Sequence, residues 1–354
     1  MMRAKRKAEH IRHAMELHQE GKKHSMDDLV LVHNSLPEAK LSRIDLTVEA
    51  GGLKWGSPVF INAMTGGGGE QTEFINRSLA MTAKEHKMAM AVGSQMSAIK
   101  DASQRKTYEI VRKTNPDGVI FANIGSEASP KEAGEAVEMI GADALQVHLN
   151  AVQELVMPEG DRDFSQRLDN LSAIVSSSKV PVIVKEVGFG ISMETAAELK
   201  RIGVHMIDAG GTGGTNFSKI ENLRRKHPIS DFDSWGITAA AALIESLSAF
   251  PGPVFASGGY TSPLHIVKAL AAGAVSAGMA GAFLHVLMTE GEKGLMSYAE
   301  DLHNRIKVIM TAAGAESIPS LSHVPLVIKG DTFHWLEQRG IETSKFARRK
   351  PFSR

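Results

Sequence analysis

The chain has 354 residues, 43% hydrophobic and 23% charged, an ordinary globular composition that argues against a disordered, fibrous or coiled-coil protein. Lys+Arg and Asp+Glu both number 40, so the net charge is zero and no basic excess is present to hold a nucleic acid. Cysteine is absent, which excludes a disulfide scaffold, a thiolate zinc site, an iron–sulfur cluster and a thiol nucleophile.

The first 24 residues are charged and lack the apolar stretch of a secretory signal, and no apolar run approaches a membrane span. A soluble cytoplasmic protein is expected. Ala4, Ala8, Ile11 and Met15 form an apolar stripe that predicts a helix over residues 2–20. Arg3, Arg6, Lys7 and His10 form a cationic stripe on another face. Such a stripe is a solvated face unless something multiply anionic must be held. Residues 25–58 are short strand and turn material.

From Ser57 onward, short apolar runs alternate with helical stretches. The runs are Pro58–Met64, Met88–Gly93, Gly118–Ile124, Ala144–Leu149, Pro181–Val187, His205–Ala209, Pro253–Ser257 and Ala274–Met279. Nearly continuous apolar strands, each followed by a helix, read as parallel strands buried on both faces. The expected class is α/β, a (β/α)8 TIM barrel over residues 57–325. An N-terminal helical arm and cap would occupy residues 1–56, and a C-terminal extension 326–354. An open doubly wound sheet is the competing architecture, because periodicity does not show closure. The loop over 210–236 is long enough to be a lid or a disordered segment. The tail carries a helix near Thr332–Gln338 and a basic end, and reads as a solvated or intersubunit segment.

Residues just past barrel strand ends converge on one site. Here they are rich in Gly, Ser, Thr, Asn and Gln. Gly258-Gly259 and Gly278–Gly281 fit a phosphate site after the last two strands, or simply make βα turns. No P-loop, no zinc-ligand spacing and no nucleophile elbow at Ser94 or Ser257 is present. Lys185 ends an otherwise apolar strand, either paired with Glu186 or Asp208 or neutralising an anionic cofactor. His148, Asn150, Gln153 and Glu154 cluster after another strand, and Glu154 suits a hard cation such as Mg²⁺.

Several of these segments resemble the type 2 isopentenyl diphosphate isomerase family. They are R-K-x-E-H at Arg6–His10, LPE at 36–38, INAMTGG at 61–67, ANIG at 122–125, QVHLNxxQE at 146–154, GGTN at 213–216 and SGG at 257–259. The pairing of R-K-x-E-H with HLNxxQE is the specific part; other FMN barrels share only the glycine-rich strand ends. The resemblance implies FMN, Mg²⁺ and a reductant, NADPH, and a homo-oligomer (tetramer or octamer) that acts on a small diphosphate. It implies that Ala63, Met64, Thr65, Ser94, Asn123, Lys185 and Thr215 contact the flavin ring or ribityl chain. Gly258, Gly259, Ala280 and Gly281 would hold the FMN phosphate. Substrate contacts would come from Arg6, Lys7, His10, Ser94, Gln95, His148, Asn150 and Gln153, with Gln153 at the allylic carbons and Glu154 on the metal.

The implied reaction is a net 1,3 proton shift across an unactivated alkene, with reduced FMN as an acid–base cofactor. It passes through a cation-like species that water would trap, so it needs a dry pocket. Two other readings compete. An α-hydroxy-acid oxidase-like FMN barrel would want a His base and an Arg for the carboxylate, and the strand ends offer His148 but no Arg. A non-catalytic barrel that binds a phosphorylated ligand would need neither flavin nor metal.

Overall fold

The computed structural model describes residues 23–64 and 68–350. The helix expected over residues 2–20 and the motif residues Arg6, Lys7, His10 and Thr65 lie outside the described residues.

The chain opens with a short strand, β1 (Leu29–Leu31), and a hairpin, β2 (Val48–Ala50) and β3 (Leu53–Trp55). The barrel strands follow: β4 (Val59–Ile61), β5 (Met90–Ala91), β6 (Ile120–Gly125), β7 (Ala144–Leu149), β8 (Val182–Glu186), β9 (Met206–Asp208), β10 (Val254–Ala256) and β11 (Ser276–Met279). All are parallel, and their hydrogen-bonded order closes on itself, β10-β11-β4-β5-β6-β7-β8-β9. The eight expected runs are these eight strands, and closure removes the open-sheet alternative. Near-complete burial explains the apolar runs: β4, β6, β8, β9, β10 and β11 have no exposed position.

Helices cover the outside. Local chemistry sets their ends, as in Pro130–Ile140. There Ser129 and Glu132 form a reciprocal capping box, Pro130 takes the first helical position, and Gly141 closes the helix in the left-handed region (φ 53°). The helix Gly281–Ala313 after β11 is broken at Gly291, whose φ is 71°.

The barrel interior follows the period of two along each strand. Phe60, Phe121 and Phe255 come from alternate strands and pack at centroid distances of 5.3–6.4 Å. The β2–β3 hairpin crosses the N-terminal end, where Trp55 meets Phe121 and Phe255 edge-on at 6.3 and 6.2 Å. Beside it, the Ser57 hydroxyl lies 2.7 Å from His303 Nε2. This end is a sealed floor. Two residues further along the same strands stand Asn62, Asn123 and Ser257, and the interior turns polar.

The described part of the tail is anchored to the body of the chain, while many of its residues remain exposed. Its strand β12 (Leu326–Ile328) pairs antiparallel with β1, and Arg339 on the helix Gly330–Gln338 bonds Glu194 and the fully buried Glu245. The 210–236 segment is not disordered. It contains a helix, Phe217–Asn222, capped by Asn216, and Asn222 ties back to Ile229 and Asp233.

Candidate active site

A continuous polar network spans the C-terminal end of the barrel. Asp208, fully buried at the end of β9, is its centre. It accepts from Asn62 Nδ2 at 2.7 Å and from the Ser257 hydroxyl at 2.5 Å, and pairs with Lys185 Nζ at 3.1 Å. Lys185 Nζ also donates to Glu186 O at 3.1 Å and to Ser257 Oγ at 3.3 Å. A buried lysine is tolerated because it is paired and hydrogen-bonded. Of its two candidate partners Asp208 is the ion pair, while Glu186 supplies only its carbonyl. The Glu186 carboxylate turns away from the interior to hold the turn amides of Phe189 and Gly190, and burial pushes it up to about 7.

From Asn62 the network runs sideways. Gln146 Nε2 donates to Asn62 Oδ1 at 3.1 Å, and Asn123 Nδ2 donates to Gln146 Oε1 at 2.7 Å. His148 Nδ1 meets Asn123 Oδ1 at 3.0 Å, which makes Nδ1 the donor, since the Asn123 amide nitrogen is turned to Gln146. Gln95 departs from the expectation of a substrate contact. It is fully buried, donates to Ala136 O and accepts from the Asn123 amide, so it fixes the β6 strand end and presents no polar group to the mouth. Ser94 beside it is half-buried and stays at the rim.

The second group sits on the helix Ala151–Val156 after β7. Gln153 Nε2 donates to Glu221 Oε1 at 3.0 Å. Glu221 is fully buried and paired with Arg224 at 2.7 Å. Sequence reasoning missed this carboxylate, because nothing in the helix Phe217–Asn222 shows which side faces Gln153. Glu154 is half-buried; its oxygens accept from Asn150 Nδ2 at 2.9 Å and the Asp161 amide at 3.0 Å. Burial raises its pKa, a cost that a bound cation would offset. Among the described residues no group of three or more His, Cys, Asp or Glu side chains could hold a metal alone. Glu154 is a lone carboxylate that could give oxygen ligands to a hard cation, whose remaining positions other ligands would have to fill.

The last feature is a glycine cradle. Gly258 and Gly259 have φ of 119° and 89°, which the left-handed region allows readily only to glycine. A Cβ on Gly259 would collide with Gly213 O, so the two loops touch backbone to backbone. Beside them Gly281 opens the helix after β11, where a Cβ would meet only Met64 Cε at 3.6 Å. Exposed amides at a helix N-terminus, room for a ligand and a nearby cation fit the phosphate and ring of a flavin mononucleotide. Ala63, Met64, Thr215 and Ala280 are half-buried on the same rim.

The model of the FMN-dependent dehydrogenase family matches residues 104–327. Solved structures share the fold. They include a monotopic membrane (S)-mandelate dehydrogenase (16% identity, TM-score 0.64, covering 91% of each chain) and a mandelate oxidase with an FMN adduct (15% identity, TM-score 0.62, covering 86% of this chain and 90% of that one). Fold, glycine cradle and family match thus define an FMN-dependent barrel. Within that class, the isopentenyl-diphosphate delta-isomerases of Bacillus pumilus and Bacillus licheniformis are each 53% identical to this chain. They match over 98% of both chains and over 99% of this chain and 100% of the relative, respectively. The chain belongs to the isopentenyl-diphosphate delta-isomerase family.

Proposed function

We propose that the protein interconverts isopentenyl and dimethylallyl diphosphate, with FMN in its reduced state and Mg²⁺ on the diphosphate. One observation carries this reading: identity of 53% along almost the whole length to enzymes of that name. The polar mouth and the Gln153–Glu154 pair support it. Bound and reduced, FMN supplies acid–base capacity and an electron-rich face beside the alkene; NADPH serves only to reduce it.

The chain's own residues do the rest. Glu154 holds the cation, and Asn150 and the Asp161 amide keep its carboxylate oriented. Gln153 faces the allylic carbons, its amide held in place by the Glu221 carboxylate. Lys185 sets positive charge beside the flavin ring, held in place by Asp208. His148 and Ser94 add hydrogen-bond groups at the rim. Arg6 and Lys7, with His10, bind the diphosphate, where Arg offers a planar fork and Lys a point charge.

The test is an anaerobic assay of the purified protein with FMN, Mg²⁺, NADPH and isopentenyl diphosphate. Formation of dimethylallyl diphosphate is expected, with no bleaching of the oxidised flavin by lactate or glycolate. Bleaching by a hydroxy acid without isomerisation would favour the oxidase reading.

A further inference from the structure

One buried cluster at the mouth has no part in the reaction above. His24, only 7% exposed, stands where the two glycine loops meet. Its Nε2 lies 2.9 Å from Gly258 O, and a Cβ on Gly213 would sit 2.5 Å from that nitrogen. Its Nδ1 accepts from the Met26 amide at 3.1 Å. The proton is therefore on Nε2, which donates to the Gly258 carbonyl. The ring is clamped, stacked on His265 at 4.9 Å and meeting Tyr260 edge-on at 5.6 Å. His265 lies 2.9 Å from one oxygen of Asp27, whose other oxygen accepts the His24 amide at 3.0 Å. The turn Ser25–Asp28 behind the ring is pinned in turn: Ser25 Oγ accepts from Ala240 N, and Lys268 Nζ donates to Met26 O.

This support lands on one peptide unit. The carbonyl of Gly258 and the amide of Gly259 belong to the same planar trans peptide and point in opposite directions. Holding the carbonyl on His24 aims the Gly259 N–H the other way. No described residue accepts that N–H in a backbone hydrogen bond. Between two glycines, such a peptide has little side-chain hindrance to flipping.

We propose that His24 is a positioning residue for the cofactor phosphate: its Nε2–H locks the Gly258–Gly259 peptide with the Gly259 amide presented to the phosphate. The proposal rests on the reading that these glycines hold the FMN phosphate and names what orients them.

The test compares FMN with riboflavin, which lacks the phosphate, in the full chain stripped of flavin and titrated by fluorescence. His24→Asn keeps an acceptor near the Nδ1 position and loses the donor to Gly258. His24→Gln keeps a donor near the Nε2 position and loses the acceptor for Met26. His24→Asn should weaken FMN roughly 5- to 100-fold, the range expected for leaving one buried polar group unpaired, with riboflavin unchanged. His24→Gln should restore FMN affinity while lowering the Tm. Unchanged FMN affinity in His24→Asn, an equal loss for both flavins, or a Gln variant as weak as Asn would each overturn the proposal. Gly281→Ala, which fills the cradle without a protein clash, tests the underlying reading. If Gly281→Ala abolishes the preference for FMN and His24→Asn does not, only the role of His24 falls. If the unaltered protein binds both flavins equally, the phosphate reading falls, and the His24 proposal with it.

Discussion

The floor and the mouth of the barrel are built by the same strands, two residues apart, and they solve opposite problems. At the floor Phe60, Phe121 and Phe255 pack together, and Trp55 meets Phe121 and Phe255, with no charge among them. At the mouth Asn62, Asn123 and Ser257 join Lys185 and Asp208 in a hydrogen-bonded network. Burying a charge is costly, so the mouth is stable only while its partners are complete. The floor carries stability and the mouth carries chemistry. Substitutions at the two ends should therefore separate in what they change.

The largest effect is expected at the floor. Phe255→Ala should destabilise the protein by about 3–5 kcal/mol, the cost of emptying an aromatic core position. Denaturant unfolding measures it, and flavin affinity under folding conditions should stay close to wild type. A variant that loses flavin but keeps its stability would break the division.

The floor also carries a pH dependence. Burial pushes His303 down to about 4 from an ordinary 6.5. The folded protein keeps it neutral, while the unfolded chain takes a proton below about 6.5. Its contribution is complete above pH 6.5 and is lost as pH falls toward 4, on the order of 3 kcal/mol for such a shift. Glu186, raised to about 7, runs the other way: stability falls as pH rises from about 4.5 to 7. Comparing wild type with His303→Gln from pH 4 to 8 isolates the histidine. Parallel stability curves would contradict its assignment.

The barrel strands were the legible part of the sequence. Each barrel strand is buried on both faces, so each appears as an apolar run bounded by Gly, Pro or polar residues. Lys185 stood out because a charged residue at the end of such a run needs a reason, and Asp208 was one of its two candidate partners. What was not legible depends on distance or direction. Leu29–Leu31 meets Leu326–Ile328 across nearly the whole chain, and no local pattern announces that pairing. Gln95 and Ser94 are neighbours, yet the backbone turn sends one amide into the scaffold and leaves the other residue at the rim. His24 and Glu221 act through contacts that only the folded loops create.

At the mouth, Lys185→Met leaves Asp208 without its cation, though Asn62 and Ser257 still donate to it. A loss of roughly 2–3 kcal/mol is expected, below the full cost of a broken buried pair because of those two donors. The flavin reduction potential should also fall, since a nearby positive charge favours the anionic reduced form. Adding Asp208→Asn should recover stability but not the potential. A wild-type potential in Lys185→Met would reduce Lys185 to a structural ion pair.

Glu154→Gln should leave folding and flavin binding intact. Activity should drop roughly 100-fold or more, because a metal's charge stabilisation is worth several kcal/mol. Wild-type magnesium dependence in this variant would remove Glu154 from the metal site.

The most direct test of a mouth built for isomerisation is a redox control. Protein reduced with dithionite and supplied with Mg²⁺ should convert isopentenyl diphosphate to dimethylallyl diphosphate over many turnovers without NADPH, and the flavin should remain reduced. Conversion that stops after one equivalent, or that oxidises the flavin in step with product, would contradict the account.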